Sequence, residues 1–295
     1  MDVRALADVN GLVTPLGEAR ISVLDRGFLF GDAVYEVIRI FEGAPFHLES
    51  HLDRLQTSAE GLQFANFPKG TVLRDRAYRL LEESGVHEGS LYFQVTRGQT
   101  DSRNLFPDDS VACTVVVTIE PRKANPEKLY ETGVRVVTRP EERWLRADLK
   151  TVNLIPRILA RRQAKEAGAW EILWTSRTGE VLEGGATNVF AVIDGILVTP
   201  PLGERILAGI TRQYVLEIAE ARGVPVTVRP LSLNDCLEAE ECFLTGTTTE
   251  VLGVSHINDQ AIGSGKPGPT TIHFRGFLRD RMSALAQAFH QKKAK

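Results

Sequence analysis

Lys150 is the residue of this sequence with the clearest potential for covalent chemistry. The chain has only nine lysines, and Lys292, Lys293 and Lys295 lie together at its C-terminus. Among the others, Lys150 alone combines apolar neighbours with an amphipathic helical pattern that begins just after it. Apolar surroundings weaken the hydration of an ammonium group, which lowers its pKa and makes the amine a nucleophile. The sequence therefore predicts an imine-forming lysine; a solvated surface lysine is the alternative.

Two other segments have the residue types of a phosphate site. Residues 209–212 (Gly-Ile-Thr-Arg) stand where a loop becomes a helix, so free backbone N–H groups, the helix dipole and a hydroxyl meet there. Residues 245–249 form a second hydroxyl-rich turn directly after a predicted strand, on which the other side of the same phosphate could rest. The alternatives are simple helix capping for the first segment and a threonine-rich strand end for the second.

Glu183 is a lone carboxylate before a turn of small residues, 184–187. Glycines allow a ligand to approach the backbone closely. Glu183 is therefore a candidate to accept a hydrogen bond from a ring nitrogen, and an ordinary exposed turn glutamate is the alternative.

Composition excludes several classes of protein. A net charge of −3 gives no electrostatic basis for binding nucleic acid or an anionic membrane. Hydrophobic content of 43% and charged content of 25% are typical of a globular protein, and we find neither a signal peptide nor a membrane span. The three cysteines form no CxxC pair, which indicates reduced thiols in a cytoplasmic protein. There is no HExxH and no Cys/His cluster, so no metal site is predicted.

Periodicity predicts two domains. Residues 33–41 alternate as a strand with Tyr35 on one face, and residues 48–62 follow as an amphipathic helix that contains Arg54. We expect an N-terminal α+β domain over 1–121, a linker over 122–128 and a larger mixed or barrel-like domain over 129–295. The remaining predictions are strands at 20–24, 91–97, 111–119, 134–138, 224–228 and 241–245, mostly strand over 170–198, hairpin turns at 10–11 and 194–195, and helices at 70–84, 154–167, 209–221 and 270–289.

Residues 263–268 formally match GxGxxG, the phosphate-binding loop of dinucleotide-binding folds. Pro267 interrupts the motif, and too little chain follows for a βαβ unit. We interpret the segment as a turn.

Taken together, the chain resembles the fold-type IV pyridoxal-phosphate enzymes, the class IV aminotransferases, and within them the D-amino acid (D-alanine) aminotransferases. The resemblance covers nearly the whole length, and several short motifs in the same order make it specific. These motifs occupy residues 25–32, 35–37, 51–55, 92–98, 143–153, 183–184 with 188–190, 209–212 and 245–248.

The resemblance implies pyridoxal 5'-phosphate as cofactor and assigns its main ligands. Lys150 is expected to form the internal aldimine and to move the Cα proton, since the cofactor is an electron sink for a carbanion. Glu183 is expected to pair with the pyridine nitrogen. Arg54 is expected to grip the phosphate as a charged fork.

The same resemblance assigns the rest of the cofactor site. Ile210 and Thr211 are expected to bind the phosphate through backbone N–H groups and a hydroxyl. Gly246 and Thr247 are expected to complete that cup, and Leu207 is expected to pack against the ring. The family's fold is a small N-terminal α/β domain with a larger C-terminal domain, and its members are dimers or larger, in which a neighbouring subunit closes the site.

The substrate site departs from the family pattern. Tyr35 is expected to line the pocket. An Arg-x-His pair that holds the substrate carboxylate in D-amino acid enzymes is replaced here by Ser102 and Asn104, with Arg103 between them. A one-residue shift of the loop returns Arg103 to that role; otherwise the carboxylate is left to another cation, for example Arg26, Arg97 or Arg177. A buried carboxylate without a cation binds poorly.

The predicted reaction is transfer of an amino group from a D-amino acid to 2-oxoglutarate, giving a 2-oxo acid and D-glutamate through a Lys150 aldimine and a pyridoxamine phosphate intermediate. A branched-chain L-amino acid aminotransferase is the runner-up, favoured by Arg39 and opposed by the Thr-Val-Asn that follows Lys150. An (R)-amine transaminase and an aminodeoxychorismate lyase, which shares the Lys-x-x-Asn spacing of Lys150 and Asn153, are further alternatives. A scaffold without activity is opposed by the joint presence of Lys150, Glu183 and Arg54.

Overall fold

The computed structural model describes residues 3–106 and 108–293, and its contacts divide it into two compact units. The first unit comprises the described residues up to Ala124, Leu149–Asn153 and those from Met282 onward; the second comprises Asn125–Asp148 and Leu154–Arg281. The predicted domain boundaries remain a prediction. Within the described residues, no helix is both long enough and apolar enough to span a membrane.

The first unit is an antiparallel six-stranded sheet with helices on one face. Its strands are β1 (Leu6–Val9), β2 (Leu12–Pro15), β3 (Ala33–Phe41), β4 (Ala44–Pro45), β5 (Gly89–Thr96) and β6 (Thr114–Pro121), in the order β2-β1-β6-β5-β3-β4. Its helices are α1 (Arg26–Phe30), α2 (Leu48–Gly61) and α3 (Gly70–Ser84).

The core of this unit forms because one face of β3 carries an apolar residue at three of its four alternate positions, with Glu36 as the exception. Val34, Ile38 and Ile40 pack there against the apolar stripes of α2 and α3, represented by Leu55 and Leu80. Burial of side chains of this size stabilises by about 1.5–3 kcal/mol each. The core therefore fixes the register of β3 and the helix face that α2 turns towards it.

The second unit is built on a ten-stranded mixed sheet. Its strands are β7 (Val134–Pro140), β8 (Glu171–Thr175), β9 (Glu180–Gly184), β10 (Asn188–Ile193), β11 (Ile196–Thr199), β12 (Val226–Val228), β13 (Leu231–Ser232), β14 (Glu241–Gly246), β15 (Glu250–Ile257) and β16 (Gln260–Ala261). The order is β12-β11-β10-β14-β15-β7-β8-β9-β13, and β16 pairs with β15. Parallel pairs (β7 with β8 and with β15, β11 with β12) occur among antiparallel ones, which confirms the predicted mixed sheet.

The helices of the second unit are α4 (Glu127–Thr132), α5 (Ile155–Glu166), α6 (Ile210–Arg222), α7 (Leu233–Glu238) and α8 (Pro269–Lys293). The end of α8, from Met282 onward, groups with the first unit. Helix α4 begins inside the segment predicted to be a linker.

Both predicted two-residue hairpin turns are confirmed. Asn10 and Gly11 connect β1 to β2, and Asp194 and Gly195 connect β10 to β11, all four with positive φ. The prediction of a turn over 263–268 is also confirmed.

The strand predicted over residues 20–24 is wrong. The segment has no regular structure, and Ile21 and Val23 are exposed. Alternation of apolar residues makes a strand only where one face is buried and a partner strand is available. Neither condition holds here.

Candidate active site

Lys150 is held in the first unit by its backbone. Its N–H donates to the Ser58 hydroxyl on α2 at 3.1 Å, and its carbonyl accepts the N–H of Tyr35 at 3.0 Å. The next residue, Thr151, forms an isolated bridge with Val34. The Lys150 Nζ lies 4.4 Å from the centroid of the Tyr35 ring, within range of a cation–π interaction. Rigid elements therefore fix the backbone of Lys150, and the Tyr35 ring lies beside its amine.

A buried ion-pair network fixes Arg54, one of the predicted phosphate ligands. Glu36 is fully buried on β3, and Arg54 reaches it from α2 with Nε to Oε1 at 2.5 Å and Nη2 to Oε2 at 2.9 Å. The Nδ1 of His51 lies 2.7 Å from the same Oε2. Burial alone raises the pKa of Glu36, but Arg54 and His51 outweigh it and hold that pKa well below its usual range. Glu36 thereby orients the guanidinium.

Two side chains beside Tyr35 were not predicted from the sequence. On β5, Tyr92 lies with its ring centroid 5.7 Å from that of Tyr35 and donates to Gln94 Oε1 at 2.7 Å. Burial raises the pKa of Tyr92 to about 12, so it stays a hydrogen-bond donor at neutral pH. Both alternate along β5 with the fully buried Leu91 and Phe93. That alternation was the available signal, since it places an aromatic and an amide on the face that carries Tyr35.

Arg26 and Arg97 are engaged elsewhere and are therefore poor candidates to bind a substrate carboxylate. Both donate through Nε to Asp32 Oδ2, at 2.8 Å and 3.0 Å. Arg26 also donates to the carbonyls of Asn104 (2.6 Å) and Leu105 (3.1 Å). Arg97 donates to two backbone carbonyls just after α2. These guanidiniums hold the loop that follows β5.

Arg103 is exposed on that same loop. Its guanidinium carbon lies 5.1 Å from the centroid of the Phe30 ring on α1. Stacking on an aromatic ring limits where a guanidinium can point at little cost in solvation. Among the arginines considered from the sequence for this unit, Arg103 is the one that remains exposed.

Glu183, in the second unit, is a buried carboxylate and not an exposed turn residue. Its Oε2 accepts from the Asn188 side-chain amide and from the Leu207 N–H, both at 3.0 Å. Its Oε1 accepts from Arg143 Nη1, and Arg157 Nη2 lies 3.8 Å from that oxygen. Burial raises the pKa of Glu183, and the two positive charges hold that rise in check.

Asn188 connects Glu183 to the turn that precedes α6. Its amide donates to the Leu207 carbonyl at 2.9 Å as well as to Glu183. A Cβ at Gly209 would lie 1.9 Å from Asn188 Oδ1, so no other residue fits at that position without displacing Asn188. Glu183, Leu207 and the start of α6 are thus held as one piece.

Several buried polar atoms around Asn188 lack a protein partner. They are Thr187 Oγ1, Thr245 Oγ1 and Arg212 Nε, for each of which no hydrogen bond is found among the described residues. Thr245 stands opposite Asn188 in the pairing of β14 with β10, and Arg212 lies in the first turn of α6. Buried donors without partners are costly, so their concentration here fits a bound anion.

The predicted cup residues lie around this cluster. Ile210 and Thr211 are the first two residues of α6, whose N-cap is Gly209, and the opening N–H groups of a helix have no partner within it. Gly246 is the last residue of β14 and Thr247 begins the turn to β15, where the Thr249 N–H donates to the Gly246 carbonyl. The buried hydroxyl groups, the N-terminus of α6 and the buried Arg212 guanidinium together suit a phosphate.

The structure thus groups the predicted residues into two sets, one in each compact unit. Lys150, Arg54 and Tyr35 lie together in the first, and the second contains Glu183, Leu207, Ile210, Thr211, Gly246 and Thr247.

Comparison with known proteins gives consistent matches over most of the chain. A family model described as "Amino-transferase class IV" matches residues 33–257. A D-alanine aminotransferase of Listeria monocytogenes serotype 1/2a (strain 10403S) is 34% identical over 276 residues, 93% of this chain and 95% of that protein. The Bacillus licheniformis D-alanine aminotransferase is 36% identical over 271 residues, 92% and 95% of the two chains.

Solved structures are similar over the same length. The T.th. branched-chain amino acid aminotransferase with pyridoxamine 5'-phosphate has a TM-score of 0.86 and 28% identity and covers 94% of this chain and 93% of its own. The 4-amino-4-deoxychorismate lyase from Pseudomonas aeruginosa has a TM-score of 0.80 and 31% identity, with coverage of 93% and 98%.

Proposed function

The chain belongs to the class IV aminotransferases and uses pyridoxal 5'-phosphate, and we propose that it transfers the amino group of a D-amino acid to 2-oxoglutarate, giving a 2-oxo acid and D-glutamate. Its fold is that of the fold-type IV enzymes. The observation that carries the choice of D-substrates is the 34% and 36% identity to two D-alanine aminotransferases over more than nine-tenths of the chain.

Lys150 is the proposed catalytic residue. The bound cofactor supplies an electron sink that acidifies the substrate Cα–H. Lys150 would hold the cofactor through Nζ. Once the substrate amine has displaced it, the free Lys150 amine would take the Cα proton and deliver it to the cofactor carbon that Nζ had held. Its backbone bonds to Ser58 and Tyr35 fix the main chain from which Nζ reaches, and general acid–base catalysis depends on position.

Glu183 is proposed to bind the protonated ring nitrogen. A carboxylate has about four lone-pair sites. Three are occupied by Asn188, the Leu207 N–H and Arg143, which leaves one on Oε1 for the ring N–H. The bond from the Leu207 N–H to the same carboxylate supports the proposal that Leu207 packs against the ring.

The phosphate is proposed to lie at the start of α6. Ile210 and Thr211 offer backbone N–H groups, Thr211 and Thr247 offer hydroxyls, and Gly246 lets the anion approach the backbone. Arg54 adds a guanidinium that Glu36 already orients.

Arg103 is proposed to bind the substrate carboxylate. Its replacement by alanine is expected to raise KM for the amino acid about 10-fold, with a much smaller change in kcat, because one hydrogen bond to a charged group is lost. Steady-state kinetics with a D-amino acid and 2-oxoglutarate measures both constants. Arg222→Ala is the matched control, because Arg222 is also an exposed arginine stacked on a phenylalanine, with its guanidinium carbon 4.1 Å from the centroid of the Phe277 ring. An unchanged KM in Arg103→Ala would assign the carboxylate to a different residue.

The stereochemical preference is tested by a half-reaction. The pyridoxal form of the protein is mixed with D-alanine or D-glutamate in one cuvette and with L-leucine or L-glutamate in another, and cofactor absorbance is followed. We expect conversion to the pyridoxamine form with the D-amino acids alone. Conversion with the L-amino acids alone would contradict the proposal.

The second candidate is branched-chain L-amino acid transamination, because the T.th. enzyme of that name has the same fold over 94% of this chain. Arg39, which favoured the branched-chain function in the sequence, no longer supports it. Arg39 is buried and donates to Glu88 at 2.7 Å, a contact that accounts for its presence without a substrate.

We propose that the protein is a homodimer, in which a second copy covers part of α5. Ile155, Ile158 and Leu159 are 65%, 58% and 51% exposed, and their spacing places them on one helix face. Contiguous exposed apolar side chains are typical of interaction surfaces. The family resemblance supports a second copy of this chain as the partner.

We also propose that the protein acts in the cytoplasm. Its three cysteines are free thiols, and Cys236 and Cys242 are buried. Reducing compartments keep cysteines in that state.

A further inference from the structure

Arg143 is a buried guanidinium held between two carboxylates. It donates through Nε to both oxygens of Glu141, at 2.9 Å and 3.1 Å, and through Nη1 to Glu183. Nη2 donates to the Arg205 carbonyl at 3.0 Å, and the guanidinium lies 5.5 Å from the centroid of a Trp174 ring. The planar fork is engaged on every side, so the group has one orientation.

The charges around Glu183 come from several elements. Arg143 precedes Lys150 in the chain, Arg157 lies on α5, and Arg212 lies on α6 close enough to act on Glu183 electrostatically. Glu141 opposes them from the other side of Arg143. Arg143 is the cation in direct contact with Glu183, and the other charged groups act at longer range.

A buried carboxylate that lost this contact would protonate. Burial disfavours the charged form, and an opposite charge within about 4–6 Å lowers the pKa of a carboxyl by about 1–3 units. A protonated Glu183 is a donor and cannot stabilise a positive ring nitrogen. The contact with Arg143 therefore decides which chemistry Glu183 can support.

We propose that Arg143 is a positioning residue of the transamination site, which keeps Glu183 ionised and fixes its Oε1, and that Glu141 moderates this effect by sharing the same guanidinium. This role rests on the proposed function of Glu183 towards the cofactor. Arg143 and Glu141 would thus influence the reaction through Glu183, without contacting the substrate.

Two neighbouring variants are expected to shift the pKa of Glu183 in opposite directions. In Arg143→Gln a positive charge is lost next to Glu183, so its pKa rises. In Glu141→Gln a negative charge is lost and Arg143 is left to Glu183 alone, so the pKa of Glu183 falls. A role confined to packing or folding would not give shifts of opposite sign.

The experiment is a pH titration of the visible absorption of the cofactor-loaded protein. We expect the acidic transition to move up by about 1–3 pH units in Arg143→Gln and to move down in Glu141→Gln. Arg143→Lys, which keeps the charge and loses the fork, is expected to lie near the wild type. Glu183→Gln is expected to lack the transition, and adding Arg143→Gln to it should change the spectrum no further.

Unchanged transitions in Arg143→Gln, or shifts of the same sign in both glutamine variants, would overturn the inference. Chemical unfolding of the cofactor-free variants identifies any variant that fails to fold. Arg143→Lys keeps the positive charge, so it tests whether charge alone maintains the wild-type transition. Because the titration reads bound cofactor and not turnover, a wild-type protein that fails the half-reaction would refute the proposed substrate and leave this test intact.

Discussion

Replacing Lys150 with alanine is expected to abolish transamination, with a fall in turnover of at least about 10⁴-fold. The variant loses both the attachment of the cofactor and the amine that moves the Cα proton. No other lysine belongs to the described segment 149–153, which is bonded to β3 and α2. The half-reaction with a D-amino acid, followed by cofactor absorbance, measures the loss, and the wild-type band of lysine-bound cofactor should be absent.

Lys165→Ala is the matched control for this experiment. Lys165 is an exposed lysine near the end of α5, so its loss should leave both rate and absorbance unchanged. Far-ultraviolet circular dichroism checks that the Lys150 variant is folded. Turnover within 10-fold of wild type in a folded Lys150→Ala protein would disprove the assigned mechanism.

The elements that carry an amphipathic pattern were predictable from sequence. Strand β3 occupies the residues predicted for it, 33–41, and α2 ends within one residue of its prediction. Both have one face against the core formed by side chains such as Ile38 and Leu55, so the pattern of apolar residues directly reflects the packing. The N-terminus of α6 was also predictable, because a loop glycine precedes its apolar run.

Strand β15 was missed for a physical reason. Its residues, from Glu250 to Ile257, are buried on both faces apart from His256, and Gly253 interrupts them. A strand buried on both faces has no alternation of apolar and polar residues to detect. A Cβ at Gly253 would lie 2.7 Å from Pro267, so the glycine is required by a contact that is 14 residues away in sequence.

Arg54 and Glu183 were proposed as cofactor residues from motifs, and this assignment stays a prediction. The groups that orient their side chains were not predicted. Their partners Glu36 and Arg143 lie 18 and 40 residues away along the chain. Nothing local in either segment specifies such a pairing, because it depends on which strand and helix faces meet in the folded unit.

Replacing Arg54 with leucine is expected to reduce stability by about 3–5 kcal/mol and cofactor affinity by about 10- to 100-fold. The stability loss follows because, among the described residues, the fully buried Glu36 would keep only His51 and the Val37 N–H beside its carboxylate, and an uncompensated buried charge is costly. The affinity loss follows from removal of a charged fork at the phosphate. Urea unfolding of the cofactor-free protein measures the first, and titration with pyridoxal phosphate measures the second.

The pH dependence of this variant has a definite sign. The lowered pKa of Glu36 contributes stability that is present above about 4.5, the ordinary value for a glutamate, and is lost only as pH falls through the folded value. Without Arg54 that pKa rises, so the contribution is missing at neutral pH. The difference in unfolding free energy between wild type and variant should therefore narrow as pH falls through the raised pKa of Glu36 in the folded variant, because the two unfolded chains titrate alike.

Two further variants separate the buried network from the loss of an arginine in general. Arg74 pairs with Glu49 through two 2.6 Å contacts on the surface, so Arg74→Leu should change stability little. Adding Glu36→Gln to Arg54→Leu removes the unpaired charge and should recover at least half of the lost stability, while cofactor affinity stays low because the phosphate fork is still absent. Recovery of affinity together with stability would mean that Arg54 acts by supporting the fold and does not bind the phosphate.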